Sequence, residues 1–299
     1  MPPLLAQRLR DMTYPLDRAY AEDAPFILPA CTGSLFAGRT GEYHGYRFSI
    51  HGFYSWRSWA VALAVCEQGD TVVEIGANVG TETVGFRDIV GASGKVVAVE
   101  PFPSNISSLQ HQVALNGWSN VPILAVAVGE RQGTVSFASP PDEHATGIGY
   151  IVGRGGGSPA RVIDVECVSL DSLAEKIGPA RAIFCDTEGA EVMVLRGARS
   201  YLRQYQPALV LEASPKLLAR SGTSLSELWS ILRDAGYQPF AIDRLGVSRV
   251  DRATASKASN WLCVPNRQAE LAHRCAEMIR TCALRPCLQP LNPLCRRET

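Results

Sequence analysis

From Thr71 to Pro265 short apolar runs alternate with stretches of helical periodicity. The runs are TVVEI (71–75), KVVAVE (95–100), VPILAVAV (121–128), RAIFCD (181–186), ALVLEA (208–213), YQPFAI (237–242) and NWLCVP (260–265). Strands this apolar need cover on both faces, which predicts a mainly parallel sheet with helices crossing between successive strands. Seven runs suffice for a doubly wound sheet. Helix signals fall where such a sheet needs them. Ser224 and Glu227 predict a capping box that leads Leu225, Leu228, Trp229 and Leu232 onto one face, with Gly236 as a stop. Ser104 predicts the start of another helix, which buries Ile106, Leu109 and Val113 and ends near Asn116 and Gly117.

The flanks and one insertion depart from this rhythm. Residues 1–67 show no simple alternation, and Pro2, Pro3, Pro15, Pro25 and Pro29 interrupt any long helix, which predicts an irregular cap ahead of the main domain at 68–265. Within 129–168, GTVSFAS and RVIDVECV alternate with period two around a segment holding Gly153, Gly155, Gly156 and Gly157, which predicts a β-hairpin with a mobile tip. Residues 266–299 read as a basic tail with a weak helical stretch near 269–279.

The chain has 299 residues, 46% hydrophobic and 19% charged, so it can bury a large core. Its 29 Lys and Arg balance 29 Asp and Glu, which leaves no overall positive field for a nucleic-acid backbone. No apolar run approaches the roughly 20 residues that span a bilayer, and MPPLLAQRLRD lacks the features of an export signal. The expectation is a soluble, cytoplasmic protein with no membrane or nucleic-acid partner. Nine cysteines in such a chain read as reduced thiols. Cys66, Cys167, Cys185 and Cys263 lie in apolar runs as core residues; Cys275, Cys282, Cys287 and Cys295 match no zinc-ligand spacing and read as free thiols on the tail, so no metal is expected.

The chemistry concentrates at the carboxyl ends of the predicted strands. In VVEIGANVGTET (72–83) an apolar strand carrying Glu74 turns through Gly76 and Gly80 and enters a helix, the arrangement that lets a backbone approach a ligand. The next strand ends with Glu100, an acid placed to accept hydrogen bonds from ribose hydroxyls. Glu74, two places before the first glycine, would repel the pyrophosphate of a dinucleotide but attract the ammonium group of S-adenosylmethionine. The expected cofactor is therefore S-adenosyl-L-methionine, held by Glu74, Gly76, Asn78, Gly80, Thr81, Glu100 and Pro101. A second motif, RAIFCDTEGAEVMVLRGA (181–198), brings Asp186, Glu188 and Glu191 to the same edge. Asp186 and Glu188 are candidates for the reacting end. Glu191 reads equally well as an acid complementing a helix N-terminus.

These motifs, with VVAVEPFPSN, VSLDSL, PALVLEA and NWLCVP in order over about Gln68–Pro265, resemble the FkbM family of S-adenosylmethionine-dependent methyltransferases. The resemblance implies the seven-stranded, Rossmann-like class I methyltransferase sheet with helices on both faces, and O-methylation of a hydroxyl on a sugar or secondary metabolite. Two departures stand out. The family usually has Asp where this chain has Glu74, and a lysine where it has Phe184, two positions before Asp186.

Methyl transfer to a hydroxyl needs an aligned acceptor and a group to take its proton. Asp186, Glu188 and His144, the last within PDEHATGIGY of the insertion, are the candidates. Tyr43, Tyr46, Phe48, Phe53, Tyr54, Trp56 and Trp59 supply core packing and, for some of them, a wall of an acceptor pocket. The rival readings are an NAD-dependent oxidoreductase or epimerase, and a non-catalytic scaffold that binds the cofactor. Neither the acceptor nor the oligomeric state is legible at this level.

Overall fold

Four helices and a hairpin precede the first strand of the central sheet in the computed structural model, which describes residues 2–139, 150–151, 161–251 and 260–295. They are α1 (Pro3–Thr13), α2 (Leu16–Glu22), the antiparallel pair β1 (Pro25–Pro29) and β2 (Leu35–Arg39), α3 (Tyr43–Ser49) and α4 (Trp56–Val65). The prolines shape this segment without making it irregular. Pro3 opens α1, Pro15 precedes α2, and Pro25 and Pro29 take the two ends of a hairpin strand, all positions where a missing N–H costs little.

The sheet follows as β3 (Thr71–Ile75), α5 (Thr83–Val90), β4 (Lys95–Val99), α6 (Pro103–Asn116) and β5 (Ile123–Leu124). A smaller sheet is then inserted: β6 (Ala127–Val128), β7 (Gly133–Ser139), β8 (Tyr150–Ile151) and β9 (Arg161–Val168), in the order β6-β9-β7-β8. The chain returns through α7 (Ala174–Ile177), β10 (Ala182–Cys185), α8 (Glu191–Arg196), α9 (Arg199–Tyr205), β11 (Ala208–Glu212), α10 (Pro215–Arg220) and α11 (Leu225–Asp234). It ends with β12 (Tyr237–Ile242), β13 (Val247–Arg249), β14 (Asn260–Pro265) and α12 (Glu270–Leu284).

The central order is β13-β12-β14-β11-β10-β3-β4-β5, parallel from β11 to β5, with β14 inserted antiparallel between β11 and β12. This is the class I methyltransferase arrangement. The seven runs read from the sequence all form strands, with two differences. VPILAVAV divides, its first half closing the central sheet and its second pairing with β9, and β13 adds an edge strand beyond β12. Antiparallel pairing of β7 with β9, from Gly133 opposite Cys167 to Ser139 opposite Arg161, forms the expected hairpin. His144 and the four glycines of its tip lie outside the described residues.

Helix ends follow the capping chemistry only in part. The Ser224 hydroxyl accepts from the Glu227 N–H at 3.2 Å and caps α11. α6 instead begins at Pro103, one residue before Ser104, because proline at the first helical position needs no partner for an N–H; Gly117, at φ 63°, ends it.

Alternation along the strands divides the core. Val72, Ala182 and Val210 face α4, α5 and α12, while Val73, Ile183 and Leu211 face the helices on the opposite side. α4, WRSWAVALAV, is buried from Ala60 to Val65 on every side, so it needs a second cover besides the sheet. α12 supplies it: Leu271, Cys275, Ile279 and Cys282 recur at helical spacing and are buried, all at 1% exposure or less. The segment read as a basic tail with a weak helical stretch thus contains a fifteen-residue core helix; its cysteines are free thiols, as read, but Cys275 and Cys282 are core residues. Among the described residues no helix is long and apolar enough to cross a membrane.

Candidate active site

The strand order reverses between β3 and β10, where the next strands lie on opposite sides, and this opens a crevice at their carboxyl ends. The turn leaving β3 is shaped first by backbone crowding. Gly76 has φ 87°, and a Cβ there would lie 1.9 Å from the Asp186 carbonyl oxygen. Gly80 has φ 91°, with Leu109 Cδ2 3.0 Å from the corresponding point. Asn78 between them is left-handed at φ 50°, a conformation asparagine adopts more readily than most residues.

That turn grips the acid at the end of β4. The Asn78 N–H donates to Glu100 Oε2 at 2.9 Å, the Phe102 N–H donates to Oε1 at 2.9 Å, and the Asn105 amide donates to Oε1 at 3.2 Å. A carboxylate has about four acceptor positions, so Glu100, though only 4% exposed, has room for a further donor on Oε2. Thr81 is buried in the same turn and Pro101 is half-buried beside Glu100.

Glu74 is likewise buried, 5% exposed, and accepts from the Thr83 hydroxyl at 2.6 Å. Desolvation first, and then the nearby Glu82, Glu100 and Asp186, hold its carboxyl well above the usual range. The sequence suggested a standing negative charge at this position; burial favours the protonated form in the ligand-free protein.

The DTEG segment builds the opposite wall. Asp186 follows β10 and stays open to solvent at the base of the crevice, although protein surrounds it closely. Glu212, the last residue of β11, brings an oxygen within 4.8 Å of Asp186; burial raises both, and burial with the neighbouring carboxylates raises Glu212, so the pair's proton favours Glu212. Glu188 is left-handed at φ 54° and is held by Arg220, whose Nη2 donates to its carbonyl at 2.5 Å and approaches its carboxylate at 3.4 Å. Gly189 is required because a Cβ there would lie 2.3 Å from the Leu217 carbonyl. Asp186, Glu188 and Glu212 each bring an oxygen within 4.8 Å of the others, a spacing able to hold a cation.

Glu191 has a different task. Its Oε1 accepts from the Thr187 N–H and hydroxyl, both at 3.0 Å, and from the Gly189 N–H at 3.4 Å, so the carboxyl closes the turn on itself. It is 1% exposed, and burial raises its pKa to about 7.

The N-terminal segment covers this crevice and contributes residues that sequence reasoning passed over. His44 of α3 meets the Asn78 amide, Nε2 to Nδ2, at 3.4 Å, and its ring lies 4.4 Å from that of Tyr54. Glu82, at the start of α5, accepts from the Ser55 N–H at 2.9 Å, and burial pushes it up to about 8. The aromatic stretch divides accordingly. Tyr46, Phe48, Phe53, Trp56 and Trp59 are core, whereas Tyr43 and Tyr54 are half-buried around Arg47 near the crevice. Glu212 was legible as the strand-end acid of PALVLEA, but nothing in the sequence marks His44. Phe184, at the position where a lysine is usual, packs its ring 4.2 Å from Phe86.

Solved structures similar to this chain include an FkbM methyltransferase from Methylobacillus flagellatus, 19% identical with a TM-score of 0.41. That alignment covers 64% of this chain and 43% of that protein, so this chain spans less than half the length of that relative. An O-methyltransferase from Thermotoga maritima aligns at 12% identity and TM-score 0.39, covering 82% and 79% of the two chains. Fibrillarin from Aeropyrum pernix, solved with natively bound S-adenosyl-L-methionine, aligns at 14% identity and TM-score 0.39, covering 80% and 93%. No curated protein matches the chain. Residues 74–239, more than half of the sequence and the whole span from Glu74 through the DTEG turn to β12, match the methyltransferase FkbM domain, and the chain belongs to that family.

Proposed function

We propose that this protein transfers a methyl group from S-adenosyl-L-methionine to a hydroxyl of a sugar or secondary metabolite. The observation that carries the reading is the placement of Glu74 and Glu100 near the ends of adjacent parallel strands, joined by the one turn 76–80. A ligand across that turn would meet an acid at each end: Glu74 for an ammonium, and the spare acceptor position of Glu100 for a ribose hydroxyl. Gly76, Asn78, Gly80 and Thr81 would floor the site, with Pro101 beside it. An ammonium favours the ionised form of Glu74 and is met by it, whereas a dinucleotide pyrophosphate would gain nothing from an acid at this place, which favours the sulfonium donor over the NAD reading.

When bound, the cofactor supplies an electrophilic methyl on a sulfonium. The chain must hold the acceptor in line and take up its proton. Asp186 suits the second task, because Glu212 retains the proton of the pair and leaves Asp186 as the accepting carboxylate. Glu188, fixed by Arg220, would orient the acceptor. His144 stays a candidate from the insertion. Phe184 lies in the core rather than at this rim, so the absent lysine removes none of these groups, which favours an enzyme over a scaffold. In this reading residues 68–265 form the methyltransferase domain, the described part of 1–67 caps its crevice, and α12 from the segment 266–299 completes its core.

The test is calorimetry with S-adenosylhomocysteine and with NAD, followed by assay of S-adenosylhomocysteine formation from S-adenosyl-L-methionine in the presence of a panel of sugars and secondary alcohols. Binding of the first ligand and turnover with a hydroxyl acceptor are expected. Binding of NAD alone would overturn the reading.

A further inference from the structure

The junction between α3 and the 76–80 turn contains two polar atoms that the protein leaves unsatisfied. His44 Nδ1 and Asn78 Oδ1 are both buried and lack a hydrogen-bond partner, although the two side chains touch each other through Nε2 and Nδ2. A buried polar group left unpaired costs on the order of 1–3 kcal/mol. Two such groups on touching side chains point to something that completes them.

Their chemistry identifies it. With the Asn78 amide donating to Nε2, the neutral imidazole carries its hydrogen on Nδ1, so the junction offers one spare donor, Nδ1–H, and one spare acceptor, Oδ1. Turning the amide over exchanges the two roles and still leaves one donor and one acceptor. A donor beside an acceptor is the complement of an α-amino-acid zwitterion, whose carboxylate accepts and whose ammonium donates. Charges of both signs stand around the junction: Arg47 acts on His44 and on Glu82, and Glu82 and Asp186 act on Glu74. Burial and the Arg47 charge keep His44 neutral, its pKa pushed down to about 4, so without a ligand it adds no charge of its own.

We infer that His44, together with Asn78, clamps the amino-acid end of the methyl donor, with the His44 imidazole donating to its carboxylate. This rests on the cofactor reading above and extends the donor site into the N-terminal segment, thirty residues before the family match begins at residue 74. Both atoms are shut off from bulk water, so only a ligand admitted beneath α3 reaches them.

Two ligands separate the clamp from the rest of the site. S-adenosylhomocysteine carries the amino-acid end, and 5′-methylthioadenosine lacks it while keeping adenosine and sulfur. In calorimetry on the full chain, His44→Phe, which preserves the ring contact with Tyr54, should weaken S-adenosylhomocysteine binding about tenfold or more, the value of one hydrogen bond to a charged group. Binding of 5′-methylthioadenosine should stay unchanged. His44→Gln, which retains a donor, should recover part of the loss, and it keeps the test available if the Phe variant does not fold. Unchanged S-adenosylhomocysteine affinity in both variants overturns the clamp, as does an equal loss for the two ligands. If the wild-type protein binds neither ligand, the cofactor reading itself fails and the clamp with it; if it binds both and the His44 variants behave alike toward both, only the clamp fails.

Discussion

Phe184 lies abreast of Glu74 on adjacent parallel strands, so an aromatic ring and a buried carboxyl occupy the same face of the sheet. The two departures from the family pattern are therefore neighbours in space. A lysine at 184 would set a cation beside the acid at 74; here the ring packs on Phe86, and the Thr83 hydroxyl supplies Glu74's hydrogen bond. With no lysine at 184, a cation beside Glu74 has to arrive with a ligand.

Ligand binding should consequently release a proton. Glu74 holds its proton well above the usual carboxylate range in the free protein, and an adjacent ammonium favours the ionised form. Affinity for S-adenosylhomocysteine should rise with pH through the acid and neutral range. Calorimetry in buffers of different ionisation enthalpy should report net proton release, reduced in Glu74→Gln. Heats independent of the buffer would contradict the assignment.

The same burial makes the ligand-free protein more stable in mild acid than in base. Desolvation raises Glu82 to about 8 and Glu191 to about 7. Unfolded glutamates titrate near 4.3, so between that pH and the folded values the native state binds more protons and stability falls as pH rises. The melting temperature should be higher at about pH 5.5 than at about pH 8.5. Glu82→Gln should flatten the upper part of that slope. A melting temperature that climbs over this window would show that these carboxyls are ionised in the fold.

Asp186→Asn and Glu188→Gln should impair turnover more than cofactor binding. General-base catalysis contributes about 10²–10⁴-fold, and a loss in that range is expected in kcat for Asp186→Asn. Glu212→Gln, whose amide can still donate to Asp186, should retain more activity than Glu212→Ala. Gly76→Val belongs to another class: its side chain would meet the Asp186 carbonyl, so the expected result is a folding defect rather than a selective loss of affinity. Full turnover in Asp186→Asn would remove that residue from proton transfer.

The central strands and the DTEG rim were legible because short continuous apolar runs and strand-end acids are local signals. Gly76 was legible as a turn glycine, but not for its reason, which is the close approach of the Asp186 carbonyl; Gly189, which meets the Leu217 carbonyl in the same way, was not singled out. Glu191 read ambiguously because a turn-closing carboxylate and a ligand-facing one look alike in sequence. His44 carried no signal at all. Its environment is assembled from α3, Tyr54 and a turn more than thirty residues away, and a lone histidine among aromatics predicts packing.

The C-terminal helix was legible only as a weak stretch within a tail, and its burial was missed, for a comparable reason: its apolar face includes two cysteines and two alanines, a weak pattern until α4 is seen to need cover. Its role is testable through the thiols. Cys66, Cys167, Cys185, Cys263, Cys275 and Cys282 are buried, and Cys31, Cys287 and Cys295 are half-buried, with Cys295 in contact with both of the others. Burial pushes the Cys275 and Cys282 thiols up to about 12, which suppresses the reactive thiolate at neutral pH. Under native conditions a thiol reagent should reach at most the three half-buried cysteines, and Cys275 and Cys282 should react only as the protein unfolds. Ile279→Ala should destabilise the whole domain by about 2–5 kcal/mol, because Ile279 is wholly buried in the core that α4 and α12 share. Rapid labelling of Cys275 in the native protein, or an Ile279→Ala variant as stable as the parent, would mean that α12 is a detachable tail after all.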